Sequence, residues 1–119
     1  MISDESFGKD EHLLKSKDFT RVYRKGASHK CKEAILCLAP NGLDKNRLGF
    51  SISSRNVKLA TRRNRIRRYF REAYRKMKKD LKAGFDIVII VRRDPGKAYS
   101  FEEAGKRILE LAKKCGLAS

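Results

Sequence analysis

The chain has 119 residues, enough for one domain that buries about two-thirds of its unfolded surface. Its 30 lysines and arginines outnumber 14 acids and give a net charge of +16, while a hydrophobic content of 40% excludes a disordered basic tail, which would lack a core. So large an excess of cations favours a polyanionic partner bound through counterion release, and nucleic acid is the first hypothesis.

No segment of the chain is predicted to enter a membrane. No run of about 18 apolar residues occurs, and no segment joins high charge to the exposed aromatic bulk that binds an anionic bilayer surface. The N-terminal stretch MISDESFGKDEH carries acids where a signal peptide needs cations and an apolar run. We therefore expect a cytoplasmic, single-domain RNA-binding protein over residues 1–119, in which residues 1–11 need not be ordered. We infer no obligate protein partner.

The first predicted elements are a helix and a strand. Residues 16–25 predict a short helix, capped by Ser16 and stopped by Gly26. Its apolar residues recur at i, i+3, i+4 and are Phe19, Val22 and Tyr23. Residues 31–39 predict one strand, which the turn signal Pro40-Asn41-Gly42 ends.

The next predicted strand, 47–53, alternates between two faces. One face is apolar and consists of Leu48, Phe50 and Ile52. The other is small and polar and consists of Gly49, Ser51 and Ser53. This second face suits an open floor on which another molecule docks.

The basic helix is predicted from about Asn56 or Lys58 to Asp80. Eleven cations lie between residues 58 and 79, with Glu72 as the single acid. The stripe predicted to pack on the sheet is Ile66, Phe70, Ala73 and Met77, extended by Leu59 and Leu81. The side chains predicted to point outward are Asn64, Arg68, Arg71, Arg75, Lys78 and Lys79, flanked by Arg62, Arg63, Arg65 and Arg67.

The density of arginine on this helix favours an interaction surface over a merely solvated face. Like charges at i, i+4 repel, and a helix that needed only solubility would interleave glutamates. Guanidinium groups also fork onto phosphate oxygens. The helix is therefore predicted to bind RNA or DNA, with Glu72 paired to Arg68 or Arg75.

The last predicted elements are a central strand and a final helix. Residues 85–91 are apolar almost throughout, as in a strand covered on both faces. Asp94-Pro95-Gly96 turns the chain, and Ser100 to Glu103 has capping-box spacing. The helix over about 100–115 has one apolar stripe, formed by Phe101, Ala104, Ile108, Leu111, Ala112 and Cys115.

No metal site or nuclease site is predicted. The cysteines and histidines lack ligand spacing and are Cys31, Cys37, Cys115, His12 and His29. We predict reduced thiols. The candidate carboxylates Glu72, Asp86 and Asp94 lie on a helix, a strand and a turn, and no paired motif links them.

Four segments together resemble one family. Lys58-x-Ala60-x-x-Arg63-Asn64-x-x-Arg67-Arg68-x-x-Arg71-Glu72 is similar to the RNR signature of the bacterial ribonuclease P protein subunit. Three flanking segments resemble the family's first helix and the strands before and after the signature. They are Asp18-Phe19-x-x-Val22-Tyr23-x-x-Gly26, Arg47-Leu48-Gly49-Phe50-Ser51-Ile52-Ser53 and Phe85-Asp86-Ile87-Val88-Ile89-Ile90. The resemblance covers about residues 12–115.

The resemblance implies an α/β fold of the α+β two-layer sandwich type, in the order α-β-β-β-α-β-α with a mixed sheet. The basic helix crosses between two parallel strands, and the family's crossover is left-handed, whereas the general preference would predict a right-handed one. The segment predicted as strand 31–39 is then either a strand pair or a strand that starts nearer Ser28; both alternatives stay open.

The resemblance also implies a function. In that family the protein joins a catalytic RNA, and together they remove the 5′ leader from precursor tRNA. The expected partners are ribonuclease P RNA and precursor tRNA, and the expected cofactor is Mg²⁺ acting mainly through the RNA. No protein catalytic residue is expected. The alternatives are a ribosomal-type RNA-binding protein with no role in cleavage and a stand-alone nuclease, which would need acidic metal ligands.

Two sets of site residues follow from the resemblance. The expected contacts to the RNA subunit are Lys58, Arg62, Arg63, Asn64, Arg65, Arg67, Arg68 and Arg71. The expected contacts to the leader are Phe19, Tyr23, Ser51, Ser53, Arg55, Arg92 and Arg93, with core packing as the alternative for the two aromatic residues. Cys37 and Ser54 replace an aromatic residue and a lysine that are common in relatives, so we expect weaker or redistributed leader contacts.

Overall fold

The computed structural model describes residues 16–96 and 99–118. Within them the elements are α1 (Ser16–Lys25), β1 (Ala27–Lys30), β2 (Ala34–Pro40), β3 (Arg47–Ser51), α2 (Ala60–Met77), β4 (Phe85–Val91) and α3 (Phe101–Lys114). A short 3-10 helix, Lys78–Asp80, continues α2. Residues 1–11, His12 and the side chain of Ser16, for which we made predictions, lie outside this description.

The four strands form one mixed sheet in the order β1-β2-β4-β3. β2 pairs antiparallel with β1 and with β4, whereas β3 pairs parallel with β4. The predicted central position of the 85–91 strand is therefore confirmed, and α2 makes the crossover between the two parallel strands. The α+β class with a mixed sheet is confirmed as well, while the left hand of the crossover stays a prediction.

Two strand boundaries differ from the sequence prediction. The single strand predicted over 31–39 is wrong, and the strand pair that the resemblance left open is confirmed. The backbone N–H of Cys31 closes the turn between β1 and β2 by donating to the Ala34 carbonyl oxygen at 2.8 Å. β3 ends at Ser51 and not at Ser53. The reason is a turn in which the carbonyl oxygen of Ser53 accepts from the N–H groups of Asn56 and Val57.

The main core lies between one face of the sheet and the two long helices, α2 and α3. Ile66, Phe70 and Ala73 are buried as predicted, and Leu81 joins them. Leu59 was predicted to extend this stripe and is instead 64% exposed. Because α2 begins only at Ala60, the helical phase does not apply to Leu59.

The last helix confirms most of its predicted stripe. Ala104, Ile108 and Leu111 are buried, and the Ser100 side chain accepts from the N–H of Glu103 at 3.4 Å, as the capping spacing predicted. Phe101 is the exception, because it is exposed at the first position of α3. Its ring therefore adds little to the core.

The other face of the sheet is only partly covered, by α1. A smaller buried cluster joins Val22 of α1 to Cys37, Ala39 and Val88 of the sheet. Gly26 allows α1 and the sheet to approach each other, because a Cβ at this position would lie 2.4 Å from the carbonyl oxygens of Leu38 and Val22. The predicted stop at Gly26 is confirmed, and the close approach leaves no room for a side chain at this position.

Candidate nucleic-acid interface

The N-terminus of α2 is open to an anion. Leu59 occupies the N-cap position without a side-chain hydrogen bond, and the first turn contains no acid. The first N–H groups of a helix have no partner within the helix, and they carry a partial positive charge. This end of α2 therefore suits a phosphate group.

Exposed polar and basic side chains continue from that end along the outer side of α2. We call this set the basic face; it consists of Lys58, Asn64, Arg65, Arg68, Lys76 and Lys79. Arg65 and Arg68 form no ion pair with any residue that the structure describes. Cations kept exposed without acidic partners can be neutralised by phosphate groups, which releases the counterions of the RNA. The predicted outward direction of Asn64, Arg68 and Lys79 is confirmed.

Arg62 and Arg63 differ from this face, because the fold itself occupies their guanidinium groups. Arg62 donates to both oxygens of Asp94, at 3.1 and 2.6 Å, and to the Gly96 carbonyl oxygen at 3.0 Å. Arg63 donates to the carbonyl oxygens of residues 57 and 58 at 2.9 Å. These two arginines, predicted as RNA contacts, thus shape the loops that flank α2.

Arg67 and Arg71 lie at the border of the basic face and are half-buried. Arg67 donates to the Asn64 side-chain oxygen at 2.9 Å. Arg71 was predicted to point outward, and this is wrong: its guanidinium group lies 5.9 Å from the centroid of the Phe50 ring. Since β3 is an edge strand, the long arginine side chain can reach back over the sheet edge and cover the ring.

The side of the sheet next to α1 presents aromatic and apolar groups. We call it the aromatic face; it consists of Phe19, Tyr23, Ile35, Ser51 and Ile90. The three strand residues are adjacent across the sheet, because Ile35 and Ser51 both pair with Ile90, and all three are half-buried. Tyr23 is 47% exposed, and its ring centroid lies 6.4 Å from that of Phe19.

The two aromatic rings differ in their exposure to solvent. Phe19 is half-buried and packs against the cluster under α1, whereas Tyr23 projects into solvent. Cys37 is buried in that cluster and offers no surface for stacking. A base can therefore stack on Tyr23, and the apolar floor comes from Ile35 and Ile90.

The other predicted leader contacts separate into two groups. Ser53 and Arg55 are exposed in the turn before α2, where the Ser53 hydroxyl oxygen accepts from the N–H of Asn56 at 3.2 Å. Arg92 is exposed after β4 and donates to the Cys31 carbonyl oxygen at 3.1 Å. Arg93 instead lines a pocket on the α3 side of the sheet, so it does not lie with the aromatic face.

A buried charge cluster around Asp86 was not predicted from the sequence. Arg47 donates to both carboxylate oxygens at 2.7 Å, Asn41 donates to one at 3.0 Å, and Arg21 of α1 donates to the other. Arg21 also donates to the Pro40 carbonyl oxygen at 2.8 Å, so the cluster fixes α1 to the sheet. The available signal was an acid inside an apolar strand, which needs a partner.

The ionisation of Asp86 follows from these contacts. Burial alone would raise the pKa of Asp86, but the hydrogen bonds from Arg47 and Asn41 hold it below its ordinary value. The carboxylate is therefore charged at neutral pH, and its charge is matched by the two arginines. The cluster orients α1 and with it Tyr23.

The three carboxylates considered for catalysis all form ion pairs with arginines. Glu72 accepts from Arg75 at 2.9 Å, one of the two predicted pairings, while Asp86 and Asp94 accept from the arginines named above. Within residues 16–96 and 99–118, no group of three or more His, Cys, Asp or Glu side chains is placed to hold a metal ion. In the same part of the chain, no helix has the length and apolar character needed to cross a bilayer.

The fold and α2 define a class, the small α+β proteins with an arginine-rich helix that crosses between two parallel strands. The family model for ribonuclease P matches residues 7–116, which is most of the chain. The chain therefore belongs to the ribonuclease P protein family. The resemblance found in the sequence is confirmed.

Individual relatives agree with the family model. The chain is 34% identical over 110 residues to the ribonuclease P protein component of Clostridium botulinum, covering 92% of this chain and 97% of that protein. It is 41% identical over 98 residues to the ribonuclease P protein component of Pseudomonas aeruginosa, covering 82% and 71%. The solved RNase P protein of Staphylococcus aureus is similar with a TM-score of 0.79 at 27% identity, covering 92% of this chain and 98% of that chain.

Proposed function

We propose that this protein is the protein subunit of ribonuclease P. It binds the catalytic RNA subunit and the 5′ leader of precursor tRNA, and so assists endonucleolytic removal of the leader. Two observations together support the proposal. The chain belongs to the ribonuclease P protein family, and it has a basic face and an aromatic face on opposite sides of one sheet.

The basic face is assigned to the RNA subunit. A folded RNA presents dense phosphates, and the open N-terminus of α2 offers positive charge to them, as do Arg65 and Arg68, which form no ion pair with a described acid. Arg62 and Arg63 support this surface indirectly, because Arg62 holds the turn after β4 and Arg63 holds the segment before α2. Arg67 and Arg71 add guanidinium groups at its border.

The aromatic face is assigned to the leader. An unpaired strand can stack one base on Tyr23 and lay the next across Ile35 and Ile90. Exposed cations at the ends of the neighbouring strands, Arg55 and Arg92, can follow its backbone. With Cys37 buried, stacking at this surface rests on Tyr23.

Mg²⁺ is assigned to the RNA subunit. The three carboxylates considered for catalysis do not fit a catalytic metal, because Glu72, Asp86 and Asp94 are each held by arginine and lie on separate elements. The protein's own residues bind and orient RNA. The bond is hydrolysed at a site that the RNA subunit provides.

Cleavage of precursor tRNA at low Mg²⁺ tests this proposal. A bacterial ribonuclease P RNA is incubated with substrate in the presence and absence of the full-length protein, beside a lane with protein alone and a leaderless tRNA. The expected result is faster cleavage at the mature 5′ end only when both RNA and protein are present.

The other outcomes contradict the proposal and distinguish its rivals. Binding of either RNA without stimulation of cleavage would support a ribosomal-type binding protein. Cleavage in the protein-only lane would support a stand-alone nuclease, and an Asp94→Asn variant would then test whether the exposed Asp94 carboxylate takes part.

A further inference from the structure

Arg71 differs from the other half-buried arginines of the described residues, because its guanidinium group donates no hydrogen bond to any of them. Its neighbours on α2 show the contrast. Arg67 donates to the Asn64 side chain and Arg75 donates to Glu72, each at 2.9 Å. The half-buried arginines outside α2 are each held by an acid of the fold. Arg71 is held by an aromatic ring instead.

The three nitrogens of Arg71 differ in their exposure. Nε has no accessible surface and no hydrogen-bond partner, whereas the two terminal nitrogens, Nη1 and Nη2, are not buried in this way. The end of the guanidinium group therefore remains accessible while its base is enclosed. Two terminal N–H groups in one plane match two oxygens of a phosphate group, and an arginine can bind them in a bidentate manner.

The Phe50 ring fixes the enclosed part of the arginine. Its centroid lies 5.9 Å from the guanidinium carbon of Arg71, within the reach of a cation–π contact. Phe50 lies on β3 and is itself half-buried against the main core. A ring that the core holds in place limits the conformations of the side chain that covers it. Arg71 therefore loses less conformational freedom when it binds a ligand.

The edge of the sheet determines where this pair lies in the interface. β3 is the outermost strand and pairs with β4 on one side only. Arg71 follows Arg68 of the basic face by three residues on α2, and its side chain reaches over to this edge. The accessible nitrogens of Arg71 thus extend the basic face towards β3. An RNA backbone bound along the basic face can place a phosphate on them.

Packing of Arg71 on Phe50 does not by itself account for the absence of hydrogen bonds. An arginine that only covers a ring can also donate to oxygens of the fold, as Arg63 does to the carbonyl oxygens of residues 57 and 58. A half-buried guanidinium group without an acceptor is unfavourable, because it has lost part of its hydration. A phosphate oxygen supplies both the acceptor and the opposite charge.

We propose that Phe50 is a positioning residue for RNA binding, whose ring fixes Arg71 so that Nη1 and Nη2 bind one backbone phosphate of the RNA subunit. This role rests on the proposed function, which supplies the RNA. Phe50 acts through Arg71 and does not itself contact the RNA. A residue of the apolar face of β3 thereby takes part in binding by α2.

A double-mutant cycle on the affinity for a bacterial ribonuclease P RNA tests the coupling of the two residues. Arg71→Ala should weaken binding and lower the slope of log affinity against log salt by about 0.7–0.9, the share of one phosphate contact. Phe50→Leu keeps an apolar side chain without the ring and should weaken binding about two- to fivefold. In the Arg71→Ala background, Phe50→Leu should have no further effect. Equal losses from Phe50→Leu in both backgrounds would overturn the inference.

Two further variants separate positioning from packing, with urea unfolding to show that each variant is folded. Phe50→Tyr keeps the ring and should bind the RNA as the original protein does. Phe85→Leu makes the same exchange at another half-buried ring, four residues before Ile89, the partner of Phe50 on β4. It should lower stability without changing RNA affinity. A Phe50→Tyr protein as weak as Phe50→Leu, or an equal loss of affinity in Phe85→Leu, would contradict positioning through the ring.

Exchange of the Arg71 Nε proton with water, followed by NMR, tests the positioning without any RNA. Because this nitrogen is buried, its proton should exchange more slowly than the Nε proton of the exposed Arg68, and Phe50→Leu should remove the difference. Equal exchange at both arginines of the original protein would overturn the inference. Failure of the original protein to bind the RNA subunit would contradict the proposed function as well. Binding and stimulated cleavage without coupling between Phe50 and Arg71 would contradict the inference alone.

Discussion

The two kinds of arginine on α2 predict opposite effects of substitution. Arg65 and Arg68 are exposed on the basic face and make no ion pair with a described residue, whereas Arg62 holds Asp94 through two hydrogen bonds. The double variant Arg65→Ala, Arg68→Ala should therefore weaken binding of the RNA subunit and leave protein stability within about 0.5 kcal/mol of the original. Arg62→Ala should mainly reduce stability.

The size of the binding effect follows from the number of phosphate contacts removed. Each contact contributes about 0.7–0.9 to the slope of log affinity against log salt, so two contacts contribute about 1.4–1.8. Raising the salt from 50 to 200 mM weakens RNA binding by both proteins. The factor by which the double variant loses affinity should be about seven to twelve times smaller than the factor for the original protein.

The assay is a salt series of filter-binding or fluorescence titrations with the RNA subunit, beside urea unfolding of each protein. Arg62→Ala serves as the contrasting variant, because it removes a helical arginine whose guanidinium group is held by Asp94 and the Gly96 carbonyl oxygen. It should cost about 1 kcal/mol of unfolding free energy, a value lowered by the partial exposure of Asp94. If the double variant has the same salt slope as the original protein, the basic face does not contact the RNA subunit.

Three further substitutions test the support of the aromatic face. Asp86→Asn should lower the unfolding free energy by about 3 kcal/mol or more, measured by urea unfolding at pH 7, because Arg21 and Arg47 lose a buried partner. Because the folded pKa of Asp86 lies below its ordinary 3.8, its contribution is present above pH 3.8 and is lost as the pH falls towards the folded pKa. The difference in unfolding free energy between the original protein and Asp86→Asn should therefore become smaller in acid. A difference that does not change with pH would contradict a charged Asp86. Tyr23→Ala should weaken the binding of substrate that carries a leader by about 1–3 kcal/mol. Tyr23→Phe keeps the ring and serves as the control, and the affinities of the two variants are compared in competition binding. Equal loss for leaderless tRNA would refute the stacking role. Gly26→Ala should destabilise the protein by about 1–3 kcal/mol in thermal unfolding, because its Cβ would meet two carbonyl oxygens at 2.4 Å; an unchanged melting temperature would show that α1 can shift.

The sequence predicted the elements whose patterns are local. The apolar run of β4, the stripe of α3 and the capping spacing at Ser100 each determine an element without reference to distant residues. The family signature added the parallel crossover, which no periodicity in this chain indicates. The β1–β2 turn was not predicted from the residues themselves, because Cys31, Lys32 and Glu33 include no glycine, proline, asparagine or aspartate to mark a turn, and only the resemblance left a strand pair open.

The site was less predictable, because helical phase does not fix where a long side chain ends. Arg71 starts on the outer side of α2 and still reaches Phe50 across the sheet edge. Arg62 lies one turn before the buried Ile66, and its partner Asp94 is 32 residues further along the chain. Arg93 follows β4 and lines the pocket on the α3 side of the sheet, so its position depends on strand register.

The dependence of substrate affinity on the leader tests the central claim most directly. Dissociation constants of precursor tRNA and of leaderless tRNA are measured with the RNA subunit alone and with the RNA–protein complex. We expect the protein to tighten binding of precursor tRNA selectively, and the gain to grow as the leader lengthens until it spans the aromatic face. Equal tightening of both substrates, or no tightening, would contradict the assignment of the leader to this protein.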